Sequence, residues 1–387
     1  MNPLKKIFDL SEPHFTGSGR FGKLEPLFDA TKTFFFLPST ANRVMPFIRD
    51  NLDLKRYMSF VLVALLPVVL YGIYNTGFQA GFARNENLGL VPAFILGSRF
   101  VLPIILVSYV VGFSWEILFA VIRKHKISEG FLVTGILFPL TLPATIPLWQ
   151  VALGISFGVV LGKEVFGGTG RNIFNPALTA RAFVFFSYPV SMSGNVWVAG
   201  LSPVDALSSA TALAVTGADG GSITTALSQA GFTLSNLFWG SVPGSIGETS
   251  ALCCLLGGAF LIITRIANYR IIAGGIAGLA ATALLFLYLV PGTQGGWGHA
   301  GPLYHLCAGG FLFGICFMAT DPVSAPGTNP GRWVFGFLIG SLTVVIRVVN
   351  PAFVEGTMLA ILFMNVFAPL FDHVVVQYKS SKRIPNV

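Results

Sequence analysis

Positive charge is missing from two long stretches of this chain: no lysine or arginine lies between Arg181 and Arg265, or between Arg270 and Arg332. Charge of either sign is scarce, with Asp, Glu, Lys and Arg making 10% of the residues, against roughly 25% in soluble domains. That scarcity excludes an ordinary water-soluble globule. Cysteine is scarce too. Cys253, Cys254, Cys307 and Cys316 sit in apolar runs without CxxC or Cys/His spacing, which excludes cysteine-built zinc or iron–sulfur centres. A dinucleotide fingerprint in a strand-turn-helix context is also lacking, so the chain has no nicotinamide site of its own.

What is present is apolar: 53% hydrophobic residues, 36 Phe and a mean hydropathy of +0.74. The reading is an all-α polytopic membrane protein. With roughly 20 residues per bilayer crossing, and shorter pieces where Gly or Pro interrupts, about ten apolar segments emerge. They cover 57–75, 95–122, 129–143, 146–162, 173–188, 249–265, 271–290, 304–319, 333–348 and 357–376. Residues 1–56 form a cytoplasmic N-terminal segment without a cleavable signal, 57–376 the transmembrane domain, and 377–387 a cytoplasmic tail. The net charge of +8 does not point to nucleic acid, because the cations cluster at segment ends. They act as topology signals that meet anionic lipid headgroups. Arg123, Lys124, Lys126, Lys163, Arg171, Arg265, Arg270 and Arg332 then fall inside, and the cation-poor loops 189–248 and 291–303 outside. Arg84 and Arg347 are the exceptions.

The two halves echo each other. Pro143, a helix over 147–163, Phe166-Gly-Gly168 and Phe174-Asn-Pro-Ala177 recur as Pro326, a helix over 333–347, Phe353-Val-Glu-Gly356 and Asn365-Val-Phe-Ala-Pro369. Paired interrupted segments of this kind mark binding sites in duplicated transport folds.

Chemistry concentrates in a few places. The inner segment Gly162-Lys-Glu-Val-Phe-Gly-Gly-Thr-Gly-Arg-Asn172-Ile-Phe-Asn175-Pro-Ala177 combines close-approach glycines with amides that suit an imide edge, or else is a tight turn capped by its asparagines. An outer segment, Asp205-Ala-Leu-Ser208-Ser209-Ala-Thr211-Ala-Leu213, is rich in hydroxyls, though an unactivated hydroxyl is a poor nucleophile. Carboxylates at membrane depth are functional candidates by default, and here they are Glu116, Glu248, Asp321 and Asp372. Helix capping explains them equally well.

Five motifs in order carry a resemblance over essentially the whole chain: Lys163 to Ala177, Ser208-Ser-Ala-Thr-Ala-Leu213, Ile246-Gly-Glu-Thr-Ser250, Phe317-Met-Ala-Thr-Asp-Pro-Val-Ser-Ala325 and Arg347-Val-Val-Asn-Pro-Ala352. The chain resembles the NqrB family, membrane components of the sodium-translocating NADH:quinone oxidoreductase (Nqr), related to RnfD of the Rnf complex. That resemblance implies ten helices in a duplicated, urea-transporter-like architecture, in a bacterial inner membrane and in complex with the other Nqr subunits. It implies FMN bound to Thr211 through a phosphoester, installed by a flavin transferase, with Asp205, Ser208 and Ser209 around it. It also implies a noncovalent riboflavin near Thr134, Asn172 and Asn175, ubiquinone reduction near Gly112, and sodium uptake involving Glu116, Asp321 and Asp372. Asp29 matches an acidic position before the first span.

Three departures stand out. Ser209 replaces a glycine of the family's Ser-Gly-Ala-Thr motif, and Phe113 with Ser114 stands where a glycine pair is expected, narrowing that wall of the quinone pocket. The loop over about 76–94 is shorter than in many relatives. The alternatives are RnfD, which serves ferredoxin and NAD, and a cofactor-free solute channel of the same architecture.

Overall fold

In a computed structural model of the chain, residues 3–15, 28, 32, 54–124, 130–199, 210–216, 222–289, 296–350 and 356–382 are described. Among them, all regular structure is helical, as apolar segments in hydrocarbon require, because each backbone N–H and C=O must then be satisfied within its own segment. Helix α1 spans Pro3–Phe15. The first half continues with α2 (Leu54–Ala83), α3 (Leu90–Arg123), α4 (Gly130–Leu140), α5 (Leu148–Val159) and α6 (Pro176–Ser187). Two short helices follow, α7 (Ile223–Gln229) and α8 (Leu234–Trp239). The second half has α9 (Ala251–Ile263), α10 (Tyr269–Leu289), α11 (Gly301–Cys307), α12 (Phe311–Phe313), α13 (Asn329–Val349) and α14 (Gly356–Ser381).

Every apolar segment expected from the sequence falls on one of these helices or on the α11–α12 pair. Among the described residues, five helices, α2, α3, α10, α13 and α14, are long and apolar enough to cross a membrane, and six spans result if the pair bent by 67° counts as one. Helices α4 and α9, at 11 and 13 residues, fall short of the roughly 20 that a straight crossing needs. Helix α5 runs on into a π turn over Val160–Glu164, and α12 into another over Gly314–Met318. Such turns often sit at functional positions.

The expected loop over 76–94 is mostly helix: α2 continues to Ala83 and α3 starts at Leu90. The reason is packing. A Cβ on Gly77 would strike the Ala93 carbonyl, and one on Gly97 the Ile73 carbonyl, so the two backbones touch through glycine, as membrane helices often do. The same device joins α10 to α13, where Gly340 meets the Gly275 carbonyl and Gly278 the Phe337 carbonyl.

Some pairings have counterparts in the other half, α3 on α5 and α10 on α13, α5 on α6 and α13 on α14, α2 on α4 and α9 on α12, whereas the extensive α2–α3 pairing has no comparable counterpart between α9 and α10, and α9 packs against α2. The Asn-Pro echo does not recur in kind. Asn175 caps α6 with Pro176 in its first turn, whereas Asn365 is buried in mid-α14 one turn before Pro369. Phe353 to Glu355 lie outside the described residues.

Residues of the long loop after α6 form a second apolar cluster. Ala212, Leu213, Ile223, Leu227, Leu237 and Val242 close on Trp297, Ala300 and Ala308.

Candidate functional site

A small cavity of about 70 Å³ opens among α2, α4, α6 and the residues after the second π turn. Its polar lining is Tyr57, Thr134, Asn175, Thr320 and Asp321, set among Met58, Val61, Val133, Leu137, Leu261, Ile266 and Phe317. Asn175 is held in extended backbone, and its Oδ1 accepts from the N–H groups of Ala177 at 3.0 Å and Leu178 at 3.4 Å. Its Nδ2 donates to the Met318 carbonyl across a longer 3.4 Å. One side chain thus caps α6 and links it to a π turn. The Tyr57 hydroxyl donates to the Ile266 carbonyl at 2.6 Å, fixing the start of α2 beside the α9–α10 turn.

Asp321 lies in the connection before α13, accepting from the Ser324 hydroxyl at 2.9 Å and the Val323 N–H at 3.3 Å. Withdrawal from water pushes its carboxyl above the ordinary carboxylate value, against those hydrogen bonds. A larger chamber of about 550 Å³ adjoins, sharing Tyr57, Ile266, Ala267, Thr320 and Pro322 with the small cavity.

The remaining sequence candidates go elsewhere. Asn172 is buried and donates to the Phe174 carbonyl at 2.8 Å, holding its own loop outside the cavity lining. Gly112 is pressed against Phe131, whose ring also packs edge-on to Phe113 at 4.8 Å. An aromatic cluster therefore fills the position where the family's second glycine was expected. Glu116 is 2% exposed and faces Lys163 of the first π turn, 3% exposed, at 2.5 Å. Beside it the buried Glu164 meets Arg123 at 3.1 Å. Asp372 accepts from the Gly327 N–H at 2.7 Å and from the Thr328 N–H and hydroxyl at 2.9 and 2.6 Å, which anchors the start of α13.

Thr211 sits at a different end of the molecule. It is half-buried, takes extended backbone with φ −78° and ψ 164°, and opens the short turn Ala212–Ala214 without using its hydroxyl as a cap. It lines a cavity of about 30 Å³ with Leu213, Ser245, Glu248, Cys307 and Gly309. Gly309 sits at the α11–α12 break with φ +65°, and a side chain there would be strained and would meet Leu213. The buried Arg347 donates to the carbonyls of His305 at 2.5 Å and Ala308 at 2.8 Å, satisfying groups that the break releases. Its misfit to the charge pattern is resolved: this cation binds backbone carbonyls inside the protein. Asp205, Ser208, Ser209 and Asp29 lie outside the described residues.

The two cavities are separated by helix length. Thr249, just before α9, lines the Thr211 cavity, and Ile262 near the end of α9 lines the large chamber. Thirteen residues of helix rise roughly 20 Å. Helix α13 repeats the relation, with Arg332 at the chamber and Arg347 at the α11–α12 break.

The sequence reading missed Tyr57 and Thr320 in the small cavity and Lys163 as the partner of Glu116. No residue pattern announces a pair 47 positions apart.

A polytopic helical membrane protein, with cavities near both ends of α9 and buried charge at a π turn and a helix break, is the class that fold and site define. The chain belongs to the NQR2, RnfD, RnfE family, whose profile matches residues 41–381. It is 47% identical over 404 residues to the B subunit of the Na(+)-translocating NADH-quinone reductase of Chromohalobacter salexigens, covering 98% of this chain and 96% of that protein. The corresponding proteins of Pseudomonas aeruginosa and Azotobacter vinelandii are likewise 47% identical, each alignment covering 98% of both chains.

Proposed function

We propose that this chain is the membrane subunit of a sodium-pumping NADH:quinone oxidoreductase. It carries FMN on Thr211 and riboflavin at the inner cavity, and passes electrons to ubiquinone in step with Na⁺ export. The observation that carries this reading is that Thr211, whose hydroxyl caps no helix, shares a cavity with Thr249 at one end of α9, while the cavity bearing Thr134 and Asn175 meets Leu261 near the other, roughly 20 Å along the helix, in a chain so like the reductase B subunits along its whole length. The names of those relatives favour this reading over RnfD.

The residues present fit both groups. The Thr211 hydroxyl is free of capping duty and half-exposed, as a phosphoester position must be for a transferase to reach it. At the inner cavity, Thr134 and Asn175 offer a hydroxyl and an amide to a polar ring edge, while Val61, Leu137 and Phe317 offer apolar walls. The 70 Å³ cavity is below the roughly 300–1,000 Å³ of ligand pockets, so a flavin ring there requires its walls to part. Bound flavins supply the redox chemistry, and the chain supplies placement, desolvation and charge around them.

Asp321, at the cavity itself, is the strongest of the Na⁺ candidates. Glu116 already has an internal cation in Lys163, and Asp372 serves the start of α13. The topology completing this reading has ten crossings in a duplicated, urea-transporter-like arrangement in a bacterial inner membrane. The 1–56 and 377–387 segments are cytoplasmic, the 189–248 loop is periplasmic, and the other reductase subunits are partners. The test is a denaturing gel of the chain from cells that make the transferase, viewed under ultraviolet. A fluorescent band lost in Thr211→Ala is expected, and a dark wild-type band refutes the flavin assignment.

A further inference from the structure

We propose that the 550 Å³ chamber between the α9–α10 turn and the start of α13 is a binding site for the phosphate headgroup of an anionic phospholipid. Arg265, Arg270 and Arg332 all line it, with Asn268 as a further donor, and none of its lining residues is a carboxylate. The nearest acid on α14, Asp372, is committed to Gly327 and Thr328. Three arginines on the lining outnumber the two acids nearby, Asp321 between Thr320 and Pro322 and Asp372 beside Arg332, so the excess charge selects an anion, and guanidinium forks match phosphate oxygens.

The surroundings favour a lipid as the source of that phosphate. Tyr269 and Trp333 flank the chamber, both exposed and edge-to-face at 6.3 Å, in the manner of an interfacial aromatic belt. Ile263, at the end of α9 and two residues before Arg265, is 79% exposed, so acyl chains have apolar surface to lie on beside the chamber. Basic pockets between transmembrane helices are a recurrent headgroup site. The backbone is also bent to this purpose: Arg265 adopts φ +60°, a left-handed conformation unusual for a residue with a side chain, and turns the chain between α9 and α10 at the chamber. Since Tyr57, Ile266 and Thr320 form a common wall with the small cavity, the headgroup would close the open side of that cavity. Arginines and aromatic belt would hold a headgroup with or without a flavin in the smaller cavity.

The whole complex, purified with native lipid and exchanged into phosphatidylcholine nanodiscs, is titrated with diphosphatidylglycerol, and bound lipid is counted by native mass spectrometry. Parallel titrations use inorganic phosphate and AMP. Each guanidinium removed is expected to weaken the lipid roughly fivefold, so Arg265→Gln with Arg270→Gln weakens it roughly 25-fold. Neither of those side chains holds a backbone carbonyl in place, unlike Arg332, which donates to Pro326. Arg265→Lys, which keeps the charge and loses the fork, is expected to fall between. Arg84→Gln, just past the end of α2 opposite the chamber residue Tyr57, changes nothing. Equal lipid retention in wild type and the double variant overturns the proposal. So does displacement of the lipid by phosphate or AMP, which would make the chamber a soluble-anion site.

Discussion

Removing the ammonium of Lys163 tests how deeply the charges of α3 and α5 are buried. Lys163 and Glu116 are 3% and 2% exposed with 2.5 Å between Nζ and Oε1. Deleting one partner of a buried ion pair costs roughly 3–5 kcal/mol, whereas replacing both by neutral groups of similar volume is near neutral. Lys163→Met is therefore expected to destabilise the protein by roughly 3–5 kcal/mol, and Lys163→Met with Glu116→Gln by less than either single change. The assay is a double-mutant cycle on unfolding in one detergent, with helical circular dichroism as signal. Additive effects, with each single variant below about 1 kcal/mol, are the behaviour of a solvated surface pair and would refute the burial argument. A second readout follows from the charge. An ammonium already held by Glu116 competes with Na⁺ there, so Lys163→Gln lowers the Na⁺ concentration for half-maximal turnover if Glu116 binds the ion.

Arg347→Met leaves the carbonyls of His305 and Ala308 without their donor. With roughly 1.5–3 kcal/mol per charged hydrogen bond, unfolding should shift by several kcal/mol, and an unshifted transition would contradict the helix-break role. Gly340→Ala places a methyl on the Gly275 carbonyl and is expected to cost about 1–3 kcal/mol by overpacking, read as a lower melting temperature. At Asp321 the raised carboxyl pKa means that a proton is gained as pH falls while ordinary carboxylates are still ionised. Protons then compete with Na⁺, so wild-type Na⁺ affinity falls on acidification through that window. In Asp321→Asn the same pH limb is absent, and its persistence would remove Asp321 from the ion path.

Helix positions were legible because the bilayer imposes a length and a polarity on every segment, and Pro and Gly mark where segments break. The 76–94 region misled because Asn75, Thr76 and Gly77 look like a loop. Yet Thr76 returns its hydroxyl to the Gly72 carbonyl, Asn75 donates to the Val242 carbonyl, and Gly77 is a helix contact. Thr134, Asn175 and Asp321, singled out in the sequence as candidates, line one cavity. Asn172 and Gly112 carried the same signals and went to a turn and an aromatic cluster, because amides cap and glycines pack as readily as they bind. Arg265, Arg270 and Arg332 read only as orientation marks. Their convergence on a chamber depends on how two distant turns meet, which no local pattern encodes.

The most direct measurement is peptide mass spectrometry on the chain isolated from its own host, covering the segment from Leu201 to Val215. The account predicts that Thr211 carries the added mass of FMN less one water, and that an impermeant label reaches this segment only from the outer face. An unmodified Thr211, or labelling from the cytoplasmic side, would contradict it.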